Sequence, residues 1–283
     1  MGLALRRAAA AAIASCFVFA ACPAAAQKAA EPAEYKPEVG QSGKDVIWVP
    51  TPDEVVQKML DLAQVQPGER LYDLGSGDGK ITIAAAKRGA RAKGIEYNPE
   101  MVEHSRRNAR AAGVEVELVQ GDIFESDFSD GDVFTLYLLP HLNERLRPSL
   151  LNLKPGTRIT SHSFRMGDWE PDETATAAGR DAHFWRVPAK VEGDWEVRVG
   201  NNAGPRLRIR QQFQKIEGTV DWGTRAGPLQ DAVLKGPIVA FTAADGNGVF
   251  HRFEGVADHT GPMMGVATPV KGGAPKFFTA MRR

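Results

Sequence analysis

The stretch Tyr72-Asp73-Leu74-Gly75-Ser76-Gly77-Asp78-Gly79-Lys80 decides the fold of this chain. It lies between a predicted strand, residues 70–74, and a predicted helix, residues 80–88. Its three glycines allow the backbone to turn sharply and to approach a ligand closely, because no Cβ intrudes. The first N–H groups of the helix add a positive dipole end. The stretch is therefore interpreted as a ligand-binding loop between a strand and a helix.

The spacing and charge of this loop narrow the choice of ligand. Its glycines follow G-x-G-x-G, whereas the dinucleotide fingerprint that holds a pyrophosphate is G-x-G-x-x-G. Asp73 and Asp78 make the loop negative, which suits a cationic ligand without phosphates. Glu96 ends the second predicted strand about 20 residues later, where an acid binds ribose hydroxyls. Asp122 and Ile123 follow the third strand, where they suit an adenine amino group and ring. This set favours S-adenosylmethionine (SAM) over NAD.

Around the loop, strand and helix patterns alternate from residue 45 to about residue 164, which is typical of an α/β fold. We predict a Rossmann-like, doubly wound, mostly parallel sheet in a SAM-binding domain over residues 45–184. Thr51-Pro52-Asp53-Glu54 has the pattern of a capping box for the first helix. Pro148 is expected to kink or split the last helix. Strands are predicted at 70–74, 92–96, 114–119, 133–138 and 158–163, and later helices at 80–88, 98–113 and 142–153.

After about residue 185 the helical periodicity disappears and glycine and proline become frequent. Short alternating segments separated by turns predict a small antiparallel all-β domain over residues 185–283. Arg206, Arg208 and Arg210 alternate with apolar residues, and we interpret them as a solvated strand face rather than a polyanion site. The strands are predicted near 195–199, 207–213, 238–241, 249–253 and 277–281.

The first 26 residues have the pattern of a signal peptide. Two arginines precede the apolar residues 8–21, and three alanines at 24–26 form an A-x-A cleavage site. The segment is too short for a permanent membrane span. A buried N-terminal helix and a lipid-modified Cys22 are the alternatives. Residues 27–44 have no periodicity and are interpreted as a flexible tether. The chain is therefore expected to be exported to the periplasm, with no transmembrane segment after the signal is removed.

The composition excludes several classes of site. The 283 residues contain 43% hydrophobic and 25% charged residues, which is ordinary for a globular protein. Lys plus Arg and Asp plus Glu both number 35, so net charge gives no reason to expect nucleic acid as a partner. Both cysteines, Cys16 and Cys22, lie near the N-terminus, so disulfides and cysteine metal sites are not expected. The six histidines lack metal-ligand spacing, and no metal is predicted.

Three segments together resemble a known family. The loop at 73–79, residues 94–96 and residues 121–122 are similar to the first three motifs of class I, seven-stranded SAM-dependent methyltransferases. Residues 49–52 and 137–140 further resemble the lysine N-methyltransferases of the ATP synthase c-subunit and the adenine nucleotide translocase, and their bacterial relatives. The resemblance extends over about residues 45–172. It implies SAM as cofactor and a methyl acceptor that is a protein amine, although the substrates of the mitochondrial members cannot be transferred to an exported chain.

The resemblance places the methyl acceptor beside residues 137–140, at the carboxyl end of the fourth strand, where open α/β sheets bind ligands. Methyl transfer is an in-line displacement that depends on positioning and on exclusion of water. Tyr137 is expected to line the methyl channel or orient the amine, or else to be a core aromatic residue. His141 is the candidate proton acceptor, with a surface role as the alternative. His162 is a weaker candidate.

Ten residues are predicted to bind the cofactor. Thr51 would close over its methionine end, unless the residue only caps the first helix. The full set is Thr51, Asp73, Gly75, Ser76, Gly77, Gly79, Glu96, Tyr97, Asp122 and Ile123. Two other functions are kept as alternatives. One is an exported, non-catalytic binding protein whose β domain recognises a partner, and the other is an NAD-linked oxidoreductase, which the loop spacing disfavours.

Overall fold

The structure is a computed structural model that describes residues 35–283, which form one compact unit. The predicted signal peptide, Cys22 and residues 27–34 of the predicted tether lie outside the described residues. Among residues 35–283, no helix has both the length and the apolar character that crossing a membrane requires.

The first sheet has seven strands in the order β3-β2-β1-β4-β5-β7-β6. The strands are β1 Arg70–Leu74, β2 Arg91–Glu96, β3 Glu117–Gln120, β4 Val133–Leu136, β5 Arg158–His162, β6 Glu173–Ala177 and β7 Arg180–Arg186. Strands β1 to β5 are parallel, and β7 runs antiparallel between β5 and β6. The predicted α/β fold with a mostly parallel sheet is confirmed. The sequence analysis missed the β6–β7 hairpin, whose first strand is rich in alanine and largely exposed.

Four helices accompany this sheet: α1 Asp53–Leu62, α2 Lys80–Lys87, α3 Pro99–Ala112 and α4 Pro140–Leu150. Asn98 caps α3 at the start of the helix predicted over 98–113, because its side chain accepts hydrogen bonds from two backbone N–H groups of the first turn. Pro148 lies inside α4 without ending it. The capping-box prediction for Thr51 was wrong, because α1 begins after Pro52 and has no side-chain cap.

Both faces of the sheet are buried, as expected for parallel strands between helices. Along β1, Leu71 packs in a cluster with the apolar face of α1, whereas Tyr72 and Leu74 pack with the leucines of α4. Because helices cover both faces, polar groups collect in the loops at the carboxyl ends of the strands.

The second sheet has nine antiparallel strands in the order β11-β10-β9-β8-β16-β15-β14-β13-β12. They are β8 Gly193–Val199, β9 Asn202–Gln212, β10 Lys215–Asp221, β11 Ala226–Pro228, β12 Gln230–Lys235, β13 Ile238–Ala244, β14 Phe250–Val256, β15 Met263–Pro269 and β16 Lys276–Arg282. The two edge strands, β11 and β12, are separated only by Leu229. The chain therefore passes directly from one edge strand to the other, so the sheet curls into a barrel whose two edges are joined by this continuous segment.

The barrel confirms the predicted antiparallel all-β domain and explains its sequence pattern. Alternate side chains point inward and form one apolar core that contains Trp195, Phe241, Phe253 and Phe278. The intervening residues face outward. The sequence analysis missed strands β10, β11, β12 and β15, which carry polar residues, glycines and few large apolar residues in alternation.

Candidate active site

A cavity of about 290 Å³ lies at the carboxyl ends of β1 to β5. Nine of the ten predicted cofactor residues and Tyr137 line it. The predicted residues in the lining are Thr51, Asp73, Gly75, Ser76, Gly77, Glu96, Tyr97, Asp122, Ile123 and Tyr137. Gly79 and His141 are not part of the lining. The lining also includes residues that the sequence analysis did not name, namely Lys44, Trp48, Met101, Phe124, Leu142 and Phe164.

The glycine loop requires glycine at two positions for reasons of space as well as conformation. Gly75 has φ +81° and Gly77 has φ +51°, which side chains with a Cβ rarely adopt. A Cβ on Gly75 would lie 2.9 Å from the Leu138 side chain, and one on Gly77 would lie 2.9 Å from Trp48 Nε1. Gly79 also has a left-handed φ of +79°, but it lies outside the cavity lining, and a Cβ there would lie 3.0 Å from the Ser105 side chain.

The side chain of Ser76 leaves a buried polar atom without a partner. Its Oγ has no hydrogen-bond partner among the described residues, although the residue is only 7% exposed. A buried hydroxyl in this state costs free energy unless a ligand or water satisfies it. Ser76 therefore makes the loop suited to a polar ligand.

Asp73 places a buried carboxylate under the loop. Its two oxygens accept hydrogen bonds from Thr135 Oγ1 at 2.7 Å and Thr82 Oγ1 at 3.1 Å. Burial raises the pKa of Asp73 to about 6, against the lowering effect of the two threonine hydroxyls. At neutral pH the carboxylate is thus mostly ionised, and it adds a negative charge that favours a cationic ligand.

Glu96 and Asp122 bring two more carboxylates into the cavity from neighbouring strand ends. Glu96 accepts from the backbone N–H groups of Gly77 at 3.0 Å and Asn98 at 2.9 Å. Asp122 accepts from the N–H of Phe124 at 2.9 Å. Each carboxylate offers about four acceptor positions, so both keep capacity for a ligand's hydroxyl or amino group.

Lys44 contacts the Asp122 side of the cavity directly. Its Nζ lies 2.6 Å from Asp122 Oδ2 and 4.4 Å from the centre of the Tyr97 ring. The hydrogen bond from Lys44 is the main reason that the pKa of Asp122 is lowered. Sequence reasoning missed Lys44, because a lone lysine in a segment without periodicity carries no signal.

Residues 40–48 fold back into a short turn over the cavity. The N–H of Gly40 donates to the carbonyl of Trp48 at 2.8 Å, and the N–H of Trp48 donates to the backbone carbonyl of Gln41 at 2.9 Å. Ser42 and Ile47 form a β-bridge between these bonds. Residues 35–44 were assigned to a flexible tether, but residues 41, 43 and 44 line the cavity instead.

The side of the cavity at the end of β4, where the methyl acceptor is predicted to bind, is aromatic. Tyr137 lies directly after β4, and its ring centre is 3.8 Å from that of His162 and 6.2 Å from that of Phe164. Thr51 Oγ1 lies 3.2 Å from His162 Nδ1. Burial, with a smaller effect of the Arg180 charge, lowers the pKa of His162 to about 4. His162 is therefore neutral at pH 7 and supports Tyr137 by ring contact.

The structure does not bring His141 together with these groups. It is exposed at the second position of α4. The turn of the helix places Leu142, rather than His141, in the cavity lining. The roles assigned to His141 and to the other site residues from the sequence stay predictions.

Comparison with known proteins supplies the family. Residues 73–173 match the family described as the ANTKMT methyltransferase domain. A protein-lysine N-methyltransferase of Saccharolobus islandicus is 44% identical over 133 residues, which are 45% of this chain and 83% of that protein. The chain belongs to this family. The cofactor of this methyltransferase is SAM. The resemblance to SAM-dependent methyltransferases, found in the sequence, is confirmed.

Other relatives match the methyltransferase over part of their length. The mouse lysine N-methyltransferase of the ATP synthase c-subunit is 34% identical over 47% of this chain, and the match spans 55% of the mouse protein. The mouse adenine nucleotide translocase lysine N-methyltransferase is 33% identical, with 41% of this chain and 52% of that protein covered. The chain thus spans about half the length of these animal relatives. A crystal structure of an RNA methyltransferase from Salinibacter ruber with S-adenosylhomocysteine (SAH) is 51% identical and covers 50% of this chain and 96% of its own, with a TM-score of 0.49.

The residues of the cavity fit SAM. Ser76 has an unsatisfied buried hydroxyl, the glycine loop leaves no room for side chains, and the carboxylates of Asp73, Glu96 and Asp122 suit a cationic nucleoside without phosphates. The comparisons give no support to the non-catalytic alternative or to an oxidoreductase.

Proposed function

We propose that this methyltransferase transfers a methyl group to the ε-amino group of lysine in a protein acceptor. The observation that carries the proposal is the 44% identity to an archaeal protein-lysine N-methyltransferase over 83% of that protein. The two animal relatives support the same acceptor, since both are lysine N-methyltransferases. The aromatic acceptor side of the cavity supports the same acceptor chemistry.

In this proposal the cofactor side of the cavity holds SAM through the loop and two carboxylates. Backbone groups around Ser76 bind the methionine part, Glu96 binds the ribose hydroxyls, and Asp122 binds the adenine amino group. SAM, when bound, supplies a methyl group on a positively charged sulfur. Asp73 and Glu96 favour that positive charge by proximity, because charges interact more strongly in a partly buried site than in water.

The acceptor side selects and desolvates the amine. Tyr137 and Phe164 offer ring faces, which attract an ammonium group and pack along a lysine side chain. Closure of aromatic rings around the amine also excludes water from the reacting nitrogen. His162 keeps the Tyr137 ring in place and, being neutral, adds no positive charge that would repel the lysine.

The proposal is tested with the full chain, methyl-labelled SAM and two acceptors, a heat-treated cell protein extract and total RNA. Acid hydrolysis of the labelled protein should release ε-N-methyllysine. Label recovered in RNA, or in another amino acid, would contradict the proposed acceptor. In the same assay Tyr137→Ala should lower kcat at least about 30-fold by loss of positioning, whereas Tyr137→Phe should keep most of the rate, because the ring contacts with His162 and Phe164 remain.

We also propose, from residues 1–26 alone, that the chain is exported to the periplasm. The proposal rests on the charged, apolar and small-residue pattern of a signal peptide. Cell fractionation followed by N-terminal sequencing of the mature chain tests it. A mature chain that begins at Gln27 in the periplasm is expected, and a cytoplasmic chain that keeps residues 1–26 would refute it.

A further inference from the structure

The loop between β5 and β6 carries Phe164 into the candidate site. Phe164 lines the cavity and its ring is nearly parallel to that of Tyr137, at an interplanar angle of 16°. Farther along the loop, Met166 and Trp169 are fully buried and form a β-bridge. We refer to residues 163–170 as the acceptor loop.

Helix α4 holds the first half of the acceptor loop. Asn143 Nδ2 lies 3.3 Å from the carbonyl oxygens of both Phe164 and Arg165. Arg147 donates to the carbonyl of Met166 at 2.8 Å and pairs with Asp168. These contacts come from within the methyltransferase domain.

The barrel holds the second half of the acceptor loop through the turn between β9 and β10. Gln214 accepts from Trp169 Nε1 at 2.9 Å and donates to the carbonyl of Glu170 at 2.8 Å. The ring of Phe213 stacks on that of Trp169, with 6.0 Å between the ring centres. The Arg147 guanidinium lies 5.4 Å from the centre of the Phe213 ring. One turn of the barrel thus contacts both the acceptor loop and the side chain of α4 that anchors this loop.

The backbone of this turn is strained at Phe213, the residue that stacks on Trp169. Phe213 has φ +53°, a conformation that is unfavourable for an aromatic residue and that persists only where surrounding contacts enforce it. Among the described residues, those that line the cavity all precede residue 165, so none of them belongs to the barrel. The barrel therefore lines no part of the cavity itself, and its turn at Phe213 and Gln214 contacts the loop that carries Phe164 into the cavity.

We infer that the barrel positions the acceptor side of the methyltransferase site by holding the acceptor loop through Phe213 and Gln214. The inference rests on the proposed function for the identity of the acceptor. Because the 133 matched residues make up 83% of the archaeal relative, that protein is too short to contain a counterpart of the barrel as well. Phe213 and Gln214 are positioning residues, because they act through Trp169 and Phe164.

The inference is tested by Gln214→Ala in the full chain, with Gln212→Ala as the matched control. Gln212 is exposed and lies two residues before Gln214, at the end of β9. Loss of two hydrogen bonds lowers the fraction of protein with an ordered acceptor loop, and the apparent KM rises by the inverse of that fraction. With poly-L-lysine as acceptor, we expect about a tenfold higher KM for Gln214→Ala. The kcat and the affinity for SAH should change less than about twofold, and Gln212→Ala should behave as the unaltered chain.

Two further measurements separate positioning from general stability. Gln214→Glu keeps an acceptor oxygen for Trp169 Nε1 and should recover part of the increase in KM. Hydrogen exchange of the backbone amides of residues 163–170 should be about tenfold faster in Gln214→Ala, while exchange in β1 and β2 stays unchanged. An unchanged KM and unchanged exchange would overturn the inference, and so would a parallel loss of SAH affinity and thermal stability. If the unaltered chain methylates no lysine, the proposed function fails, but the exchange measurement still decides the inference.

Discussion

The two sheets of this methyltransferase differ in where they leave polar groups. The seven-stranded sheet is open at its carboxyl edge, where it buries the Asp73 carboxyl, the unpartnered Ser76 hydroxyl and the neutral His162 ring. The barrel is closed around an apolar core, and its outward charges form pairs such as Arg208–Asp194. At the first sheet these costly groups lie together beside the cavity, whereas the two that the barrel buries without a partner among the described residues, Trp222 Nε1 and His259 Nδ1, lie outside the cavity lining. The first sheet therefore carries the groups that bind ligands, and the barrel stabilises the loop beside them.

The largest effect that this comparison predicts lies in the barrel core. Trp195 is fully buried, and its Nε1 donates to the carbonyl of Val191 at 2.9 Å. Trp195→Ala should lower the free energy of unfolding by about 4 kcal/mol, because it leaves a large cavity. Urea unfolding measures this loss. SAH affinity of the folded protein should change less than about threefold, and a larger change would show that the two sheets do not divide their roles in this way.

In the first sheet, by contrast, replacing the buried carboxyl of Asp73 is expected to raise stability. Because the pKa of Asp73 is raised from 3.8 to about 6, its ionisation destabilises the fold increasingly between pH 4 and 6 and by a constant amount above that. This cost is about 3 kcal/mol at neutral pH. Asp73→Asn should therefore raise stability above pH 6 and have little effect below pH 4. Chemical denaturation at a series of pH values tests the sign.

The same variant should weaken binding of the positively charged cofactor. SAM affinity should fall more than SAH affinity, since SAH lacks the positive sulfur. Equal losses for the two ligands would mean that the Asp73 charge does not act on the sulfonium. A stabilising substitution that impairs binding is the expected signature of a functional site.

A somewhat smaller effect is expected in the glycine loop. Gly75→Ala places a Cβ 2.9 Å from Leu138 in a left-handed conformation, so SAH affinity should fall about 30-fold through displacement of the loop. Gly68→Ala is the matched control, because Gly68 has a similar φ of +83° but no atom within 4 Å of the added Cβ. Calorimetric titration should show normal SAH affinity for Gly68→Ala. Comparable losses in both variants would attribute the effect to backbone strain alone.

The smallest effect is expected on the outer face of the barrel. Arg208 pairs with Asp194, and both side chains are exposed; exposed pairs of this kind contribute little to stability. Arg208→Ala should shift Tm by less than about 2 °C and leave methyl transfer unchanged. A marked loss of transfer with intact Tm would instead identify the arginine row, Arg206 to Arg210, as a binding surface.

Elements whose signals are local could be predicted from the amino-acid sequence. The glycine loop follows from spacing, β4 from its mostly apolar sequence, and the α3 cap from Asn98 beside Pro99. The acids Glu96 and Asp122 were located because parallel strands end at the same edge of a sheet, so their register with the loop is a property of the chain order. The SAM-dependent methyltransferase family could be recognised for the same reason.

Contacts between segments that are distant along the chain could not be predicted in this way, because they depend on how the whole domain packs. Closure of the barrel, insertion of β7 between β5 and β6, and the folding of residues 40–48 over the cavity depend on pairings with no local pattern. Thr51 resembled a helix cap but contacts His162, which is 111 positions away. His141 appeared closer to the chemistry than His162, yet helix phase turned His141 to solvent and strand pairing buried His162. Local periodicity encodes backbone conformation, whereas the neighbours of a buried side chain are chosen by the packing of the whole domain.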